Sequence, residues 1–315
     1  MNIAVSACLL GEKVRFDGGH KHDRFVTDEL GKYASFVTFC PEAIAFGTPR
    51  PSIRLVNTQD GYHIVSNKNG VDLTKELQER SYEELHKISD KKLSGIIFKS
   101  KSPSCGMGSA KAYLENGFAD SKADGMFVAI CKEKFPLLPM EEEGRLQDDW
   151  LRENFIMQIF AYDSVERLKE SAFSMKDLVD FHMKNKFLLQ AKDEKIYRVL
   201  GNIVANHENL PLNELFANYE YNFKVAVSKK SSIKRNRNVL EHMAGFFKNE
   251  LDHIEKENLH EQIEEYTKKL IPIIVPLSTI KLYAKKYGTS YLLGQTFLDP
   301  YPKELALRSS LLSSK

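Results

Sequence analysis

Gly95–Gly108, G-I-I-F-K-S-K-S-P-S-C-G-M-G, decides the fold. Its apolar run, Ile96–Phe98, is bounded by turn residues and reads as a buried strand; Ser102-Pro103-Ser104-Cys105-Gly106 reads as the tight loop that follows. In an open α/β sheet, ligands bind in loops at the carboxyl ends of strands. The same arrangement of strand and then cysteine occurs twice earlier. Ile3–Ala7 runs into Cys8-Leu9-Leu10-Gly11, and Phe36–Phe39 runs directly into Cys40-Pro41-Glu42.

Working outward, Val14–His20 is a polar, turn-rich loop. Thr48-Pro49-Arg50-Pro51 takes an extended path, because two prolines exclude helix. Ile53–Val56 and Tyr62–Val65 flank an Asp60-Gly61 turn and predict a hairpin. Asp72–Ile88 has helical spacing with Asp72 as N-cap. Leu93–Phe98 is a strand, Ala123–Lys134 a helix, Phe135–Leu138 a short strand, and Met140–Leu146 the start of a polar connection. Strands alternating with helices predict a mostly parallel, wrapped, Rossmann-like sheet.

Beyond Asp149 the pattern turns helical. Trp150–Tyr162, Val165–Ser171, Met175–Asn185, Lys192–Val204, Leu212–Ala226, Asn238–Phe247 and His260–Ile271 all carry helical periodicity, and Ile271–Leu277, with two prolines, reads as a helix end or break. The expected organisation is an α/β domain over 1–148, a linker over 149–160, an all-α domain over 161–308 and a tail over 309–315. A length of 315 residues favours two domains. A net charge of +2 predicts neither a nucleic-acid partner nor a membrane partner, and no apolar run approaches a bilayer span. The N-terminus lacks a basic n-region and reads as a strand, not a signal peptide. Four cysteines without a disulfide framework predict a reducing, cytoplasmic setting.

Parallel strands would bring Cys8, Cys40 and Cys105 to one sheet edge. Three thiolates there suit a soft metal or an iron–sulfur cluster and leave a position open for substrate. Strand-end cysteines can equally be plain core. Cys131, on the apolar face of a helix, reads as core.

Taken together, Ser6-Ala7-Cys8-Leu9-Leu10-Gly11 with Val14–Gly18, Cys40-Pro41-Glu42 with Thr48–Pro51, and Lys99–Gly106 resemble the thiouracil desulfurase (TudS) family over about the first 145 residues. The resemblance implies a [4Fe–4S] cluster held by Cys8, Cys40 and Cys105. Its fourth iron would be free to take the sulfur of a thiopyrimidine in a hydrolysis without net redox change. It also implies Glu42 and Ser102 as the catalytic pair, and a carboxylate beside an apolar, anionic group should have a raised pKa. Read alone, Glu42 could as well be an ordinary helix N-terminal carboxylate after Pro41. Asp17, Lys101 and Ser104 are candidates for holding the base or a phosphate, with Ser104 also a natural turn residue. Arg50 could be a solvated surface residue.

Residues of about 150–308 resemble the helical domain found alone in YbgA-type proteins. The carriers are Arg152-Glu153-Asn154-Phe155, Leu178–His182 with Lys186, Asn238–His242 and Ile273–Leu277. Fusions of the two resemble the RudS desulfurases, which implies tRNA 4-thiouridine as substrate; free thiouracil or thionucleotides are the alternative. A non-catalytic RNA- or protein-binding module with a structural metal site is a third reading. Tyr221–Arg237 carries Lys224, Lys229, Lys230, Lys234, Arg235 and Arg237 and no acid. With Tyr219, Tyr221 and Phe223 adjacent, such a stripe can track RNA, or it can be a solvated face. His182 and His242 read as satisfied interior histidines or metal ligands.

Overall fold

The computed structural model describes residues 1–171, 173–207 and 209–315. The chain divides into two compact units, Met1–Gln147 and Asp148–Lys315.

The first unit contains two four-stranded sheets. Strands β1 (Asn2–Ser6), β2 (Ser35–Phe39), β5 (Leu93–Phe98) and β8 (Met140–Glu142) form the first, in the order β2-β1-β5-β8, with every neighbouring pair parallel. Parallel strands are covered on both faces and read as continuous apolar runs; all six residues of β5 are buried. Helices α1 (Pro41–Phe46), α2 (Thr74–Ser89) and α3 (Met126–Lys134) belong to the same unit. Phe39, Phe98 and Phe127 form a buried cluster with ring centroids 4.9–6.3 Å apart. Phe39 and Phe98 end β2 and β5, so this cluster anchors the strand ends that lead into Cys40 and the Cys105 loop.

The second sheet is mixed, in the order β4-β3-β6-β7. It pairs the expected hairpin, β3 (Ile53–Thr58) and β4 (Gly61–Ser66), with β6 (Ala110–Leu114) and β7 (Ala119–Ala123). One face buries Ile53, Leu55, Ile64, Ala110 and Ala112 against Leu77 of α2.

Some expectations for this unit need correction. Residue 123 closes a strand, and α3 starts only at Met126. Phe135–Leu138 is a turn: Pro136 has no N–H, and the Leu138 N–H donates to Phe135 O. The strand is instead Met140–Glu142, inside the supposed polar connection, and the Ile96 N–H reaches it through Pro139 O. Leu73 precedes α2 directly, while Asp72 accepts the Thr74 N–H and pairs with His63 at 2.6 Å.

In the second unit, α4 is one 22-residue helix, Asp149–Glu170, capped by the Asp148 carboxylate. Residues 149–160 are therefore helix and not linker, because Phe155, Ile156 and Ile159 face the interior. Helices α5 (Met175–Lys184), α6 (Lys186–Lys192), α7 (Glu194–Ala205), α8 (Leu212–Ser228), α9 (Ile233–Ala244), α10 (His253–Thr267), α11 (Ile274–Lys286) and α12 (Ser290–Leu293) follow. Pro276 sits in the first turn of α11, where its missing N–H costs nothing, and the break falls at 271–273. Residues 309–315 are tied down and not a loose tail: Ser310 donates to Asp149 and Lys315 O accepts from Ile233.

This unit holds a buried ionic core. Glu153 accepts from Arg308 (3.0 Å) and Tyr301 (3.2 Å), while wholly buried Lys192 donates to Asn154 at 2.8 Å. No helix among the described residues is long and apolar enough to cross a membrane.

Candidate active site

Three loops at the carboxyl edge of the parallel sheet enclose a cavity of about 380 Å³. After β1, the chain turns through Ala7–Leu10 in a 3-10 turn ended by Gly11 at φ +92°, and this turn carries Cys8. After β2, Cys40 is the N-terminal boundary of α1, Pro41 opens the helix and Glu42 lies in its first turn. After β5 comes the Cys105 loop. Ser6 at the end of β1 accepts the Lys99 N–H at 3.0 Å, which ties the first loop to the third.

The Cys105 loop is held so tightly that two of its contacts demand glycine. A Cβ on Gly106 would lie 2.8 Å from Ser102 O and Ala110 N; one on Gly125 would lie 2.5 Å from the Ser104 carbonyl. The loop's carbonyls at Pro103 and Ser104 accept the first N–H groups of α3. Glu142 accepts from Met107 N (3.1 Å) and Ser109 Oγ (2.6 Å), and Glu143 from Ser100 N (2.6 Å) and the Lys99 ammonium. Glu142 and Glu143, in the run read from sequence as a connection, thus fasten the loop, while Glu141 pairs with Arg145. Glu84 does the same for Cys40, accepting its N–H at 2.7 Å from the buried face of α2.

Cys8, Cys40 and Cys105 all line the cavity, none in a disulfide. Burial, reinforced by the charge of Cys40, pushes the Cys8 thiol up to about 12. Burial likewise raises Cys40 to about 11 and Cys105 well above its ordinary range. Cys131 is wholly buried on α3 and does not line the cavity. Among the described residues no three Cys, His, Asp or Glu side chains converge closely enough for a single metal ion. The three thiols nevertheless share one cavity. Ligands to different irons of one cluster stand further apart than ligands around one ion. Three thiols lining one cavity are soft donors of the kind an iron–sulfur group takes. Arg15, Lys21, Arg50, Lys99 and Lys101 also line the cavity; Arg15, Arg50 and Lys99 are paired with Asp17, Glu42 and Glu143, so Lys21 and Lys101 supply the uncompensated positive charge.

Glu42 is the hub of a polar group on the wall. Its Oε1 accepts from Ser102 Oγ at 2.9 Å and Ser104 Oγ at 2.5 Å; its Oε2 accepts from Arg50 Nη2 at 2.9 Å. The two serine hydroxyls are 2.9 Å apart, and Ser104 Oγ lies 3.5 Å from Cys105 Sγ. Arg50 is buried and not a solvated surface residue: its Nη1 also donates to Val14 O and Gly47 O. Lys101, at φ +61°, lines the cavity. Asp17 does not; it accepts the Gly19 N–H and pairs with Arg15 in an exposed loop.

In the helical unit the basic stripe is mostly engaged. Lys224 is buried between Glu166 and Glu220, and Arg237 pairs with Glu241 and Glu264. Arg235 donates to Lys230 O, and Lys230 lies over the Trp150 ring. Lys229 and Lys234 are exposed. Tyr219 and Phe223 are fully buried and offer no stacking surface; Tyr221 is exposed. His182 is interior, stacked on Tyr197 and 3.3 Å from Tyr219 OH, with burial lowering it to about 4. His242 is exposed, contrary to the interior reading.

A parallel sheet presenting three thiols and a serine–carboxylate group at one edge defines a cysteine-bearing α/β domain followed by a helical one. The 2-thiouracil desulfurase family model matches residues 3–143, and that of a protein family of unknown function, DUF1722, matches 186–302. The uncharacterized protein YbgA of Escherichia coli (strain K12) is 31% identical over 156 residues, 49% of this chain and 92% of that protein. The uncharacterized protein YbbK of Bacillus subtilis (strain 168) is 28% identical over 153 residues, 46% of this chain and 98% of that protein. Among solved structures, the [4Fe-4S]-dependent thiouracil desulfidase TudS aligns at 29% identity with a TM-score of 0.38, covering 46% of this chain and 93% of that one. The chain belongs to the YbgA-like family through its helical unit and carries a 2-thiouracil desulfurase domain ahead of it.

Proposed function

We propose that the chain is a hydrolytic desulfurase of thiolated pyrimidines, with 4-thiouridine in tRNA as its natural substrate and uridine as product. The observation that carries this reading is the Glu42–Ser102–Ser104 group, held by Arg50, on the wall of a cavity that also presents Cys8, Cys40 and Cys105. Those thiols would hold a [4Fe–4S] cluster. When bound, the cluster supplies an iron with a free coordination position that attracts thiocarbonyl sulfur.

The chain's own residues do the rest. The overall change is R₂C=S + H₂O → R₂C=O + H₂S, which needs a proton taken from water and protons delivered to sulfur. Glu42 Oε1 takes the proton from the attacking water, and the hydroxyls of Ser102 and Ser104, already bonded to that oxygen, pass it on. Ser102 Oγ is itself fixed by the N–H groups of Ser104 and Cys105, at 3.2 Å each. Arg50 holds the second carboxylate oxygen, so the first stays aimed at the serines. The thiobase would share this cavity of about 380 Å³ with the cluster. In tRNA, that base must leave its stack to enter. Support for RNA comes from the resemblance to tRNA desulfurases and from Lys229 and Lys234, which remain exposed. Four free cysteines suit a reducing, cytoplasmic setting.

The test is anaerobic incubation of the cluster-loaded protein with 4-thiouridine-containing tRNA and, separately, with 4-thiouracil. Loss of thiocarbonyl absorbance with release of sulfide is expected for both, faster for tRNA. Faster turnover of the free base would reassign the substrate, and no turnover of either would remove the enzymatic reading.

A further inference from the structure

We infer that the open face of the second sheet is an anion subsite that takes the phosphate of the nucleotide carrying the thiobase; this rests on the thiopyrimidine reading above. Beside the catalytic cavity lies a second one, lined by Arg54, Asn67, Lys101, Lys111 and Tyr113. The two share Ile53, Lys101 and Pro103, so a molecule in one can extend into the other.

The sheet's geometry makes this face cationic. Leu55 of β3 pairs with Ala112 of β6, both in the core, so the preceding residues Arg54 and Lys111 lie side by side on the opposite face. Lys111 is in turn the direct cross-strand partner of Lys122 on β7. Like charges directly opposite each other destabilise a strand pair, so the row Arg54–Lys111–Lys122 is a cost that stability alone would remove.

No carboxylate among the described residues lines the second cavity. Among the described residues, Asp120 is held by Asn57 and Ser121, and Asp124 by the Gly108 N–H and Lys132. Arg54 donates through Nη1 to the Asn67 carbonyl at 2.8 Å, which orients its guanidinium, while its buried Nε has no partner. An incoming phosphate oxygen would meet the ammoniums of Lys101 and Lys111 and the outer nitrogens of the oriented Arg54 guanidinium. The helical unit's stripe, by contrast, has spent Lys224 and Arg237 on its own carboxylates.

The test compares full-length wild type with R54Q/K111Q, residues outside the catalytic wall. Uridine 5′-monophosphate and uridine are titrated calorimetrically into both proteins without turnover. Michaelis constants are then measured for 4-thiouridine 5′-monophosphate, a 4-thiouridine RNA hairpin and uncharged 4-thiouracil. In the double variant, KM for the phosphate-bearing substrates should rise about tenfold or more, the preference for the monophosphate over uridine should vanish, and 4-thiouracil kinetics should stay unchanged. A larger loss for the hairpin than for the monophosphate identifies a polynucleotide strand as the source of the anion, and an equal loss a single phosphate. Equal loss on 4-thiouracil, or no loss anywhere, overturns the subsite. If wild type turns over nothing, the enzymatic reading fails on its own, while the calorimetric preference still decides the subsite.

Discussion

Replacing Glu42 by Gln probes the site at its hub. The carboxylate accepts two serine hydroxyls on one oxygen and Arg50 on the other. Glutamine keeps one acceptor, but its NH₂ must face either Arg50 or the serines, all of which donate. It also removes the base. Positioned acid–base groups contribute about 10²–10⁴-fold, equivalent to about 3–5 kcal/mol of barrier. Arg50, with 3% side-chain exposure, loses its counter-charge, and stranding one member of a buried pair costs about 3–5 kcal/mol of stability. The E42Q/R50M double variant should recover part of that stability without recovering turnover. The assay measures iron and sulfide content, melting temperature and turnover of 4-thiouracil on the same reconstituted sample. E42Q with full iron content and turnover within about tenfold of wild type would refute the assignment of Glu42 as the base.

Other expectations follow from the same geometry. Serine at Cys8, Cys40 or Cys105 should abolish iron binding, whereas Cys131→Ser, in the wall of α3, should leave iron content unchanged; metal analysis decides. Gly125→Ala drives a Cβ to 2.5 Å from the Ser104 carbonyl and should cost about 1–3 kcal/mol in denaturant unfolding, with iron content falling because the Cys105 loop must move. Lys192 is wholly buried, and desolvation, opposed by Glu153, lowers it to about 8. The unfolded chain therefore holds this proton up to its ordinary value near 10.5 while the folded one releases it near 8. Stability of the helical unit should gain about 3 kcal/mol from this group as pH rises through that window, and K192M should remove that gain; a pH series of urea melts on both proteins checks it. R308M should destabilise the same unit by about 3–5 kcal/mol by stranding Glu153.

The sheet was legible because buried parallel strands write themselves as apolar runs: Ile3–Ala7, Phe36–Phe39 and Leu93–Phe98 each fall within a residue or two of the observed strand. Met140–Glu142 escaped because an edge strand of three residues, two of them glutamates, carries no such run. Its Glu142 carboxylate serves the Cys105 loop, a long-range pairing that local sequence does not show. Glu84 left a faint mark, since it lies on the stripe of Leu77, Ser81, Leu85 and Ile88 that α2 buries. A charge in an apolar stripe signals a partner. Arg50 was ambiguous because two flanking prolines describe its backbone but not what its guanidinium meets. The aromatic residues beside the basic stripe misled for a related reason: on a helix, Tyr219 and Phe223 fall one turn apart on the buried face, while Tyr221 faces solvent. The change of composition at Asp149 marks the start of a capped amphipathic helix, so residues 149–160 carry an interior face that composition does not show.

The central claim is that this chain exchanges sulfur for oxygen on a pyrimidine without net electron transfer. The most direct measurement is sulfide and uracil released from 4-thiouracil by the anaerobically reconstituted protein, with no reductant or oxidant added. One sulfide per uracil over many turnovers is the predicted result. A single turnover that stops, or a requirement for an electron donor, would contradict it.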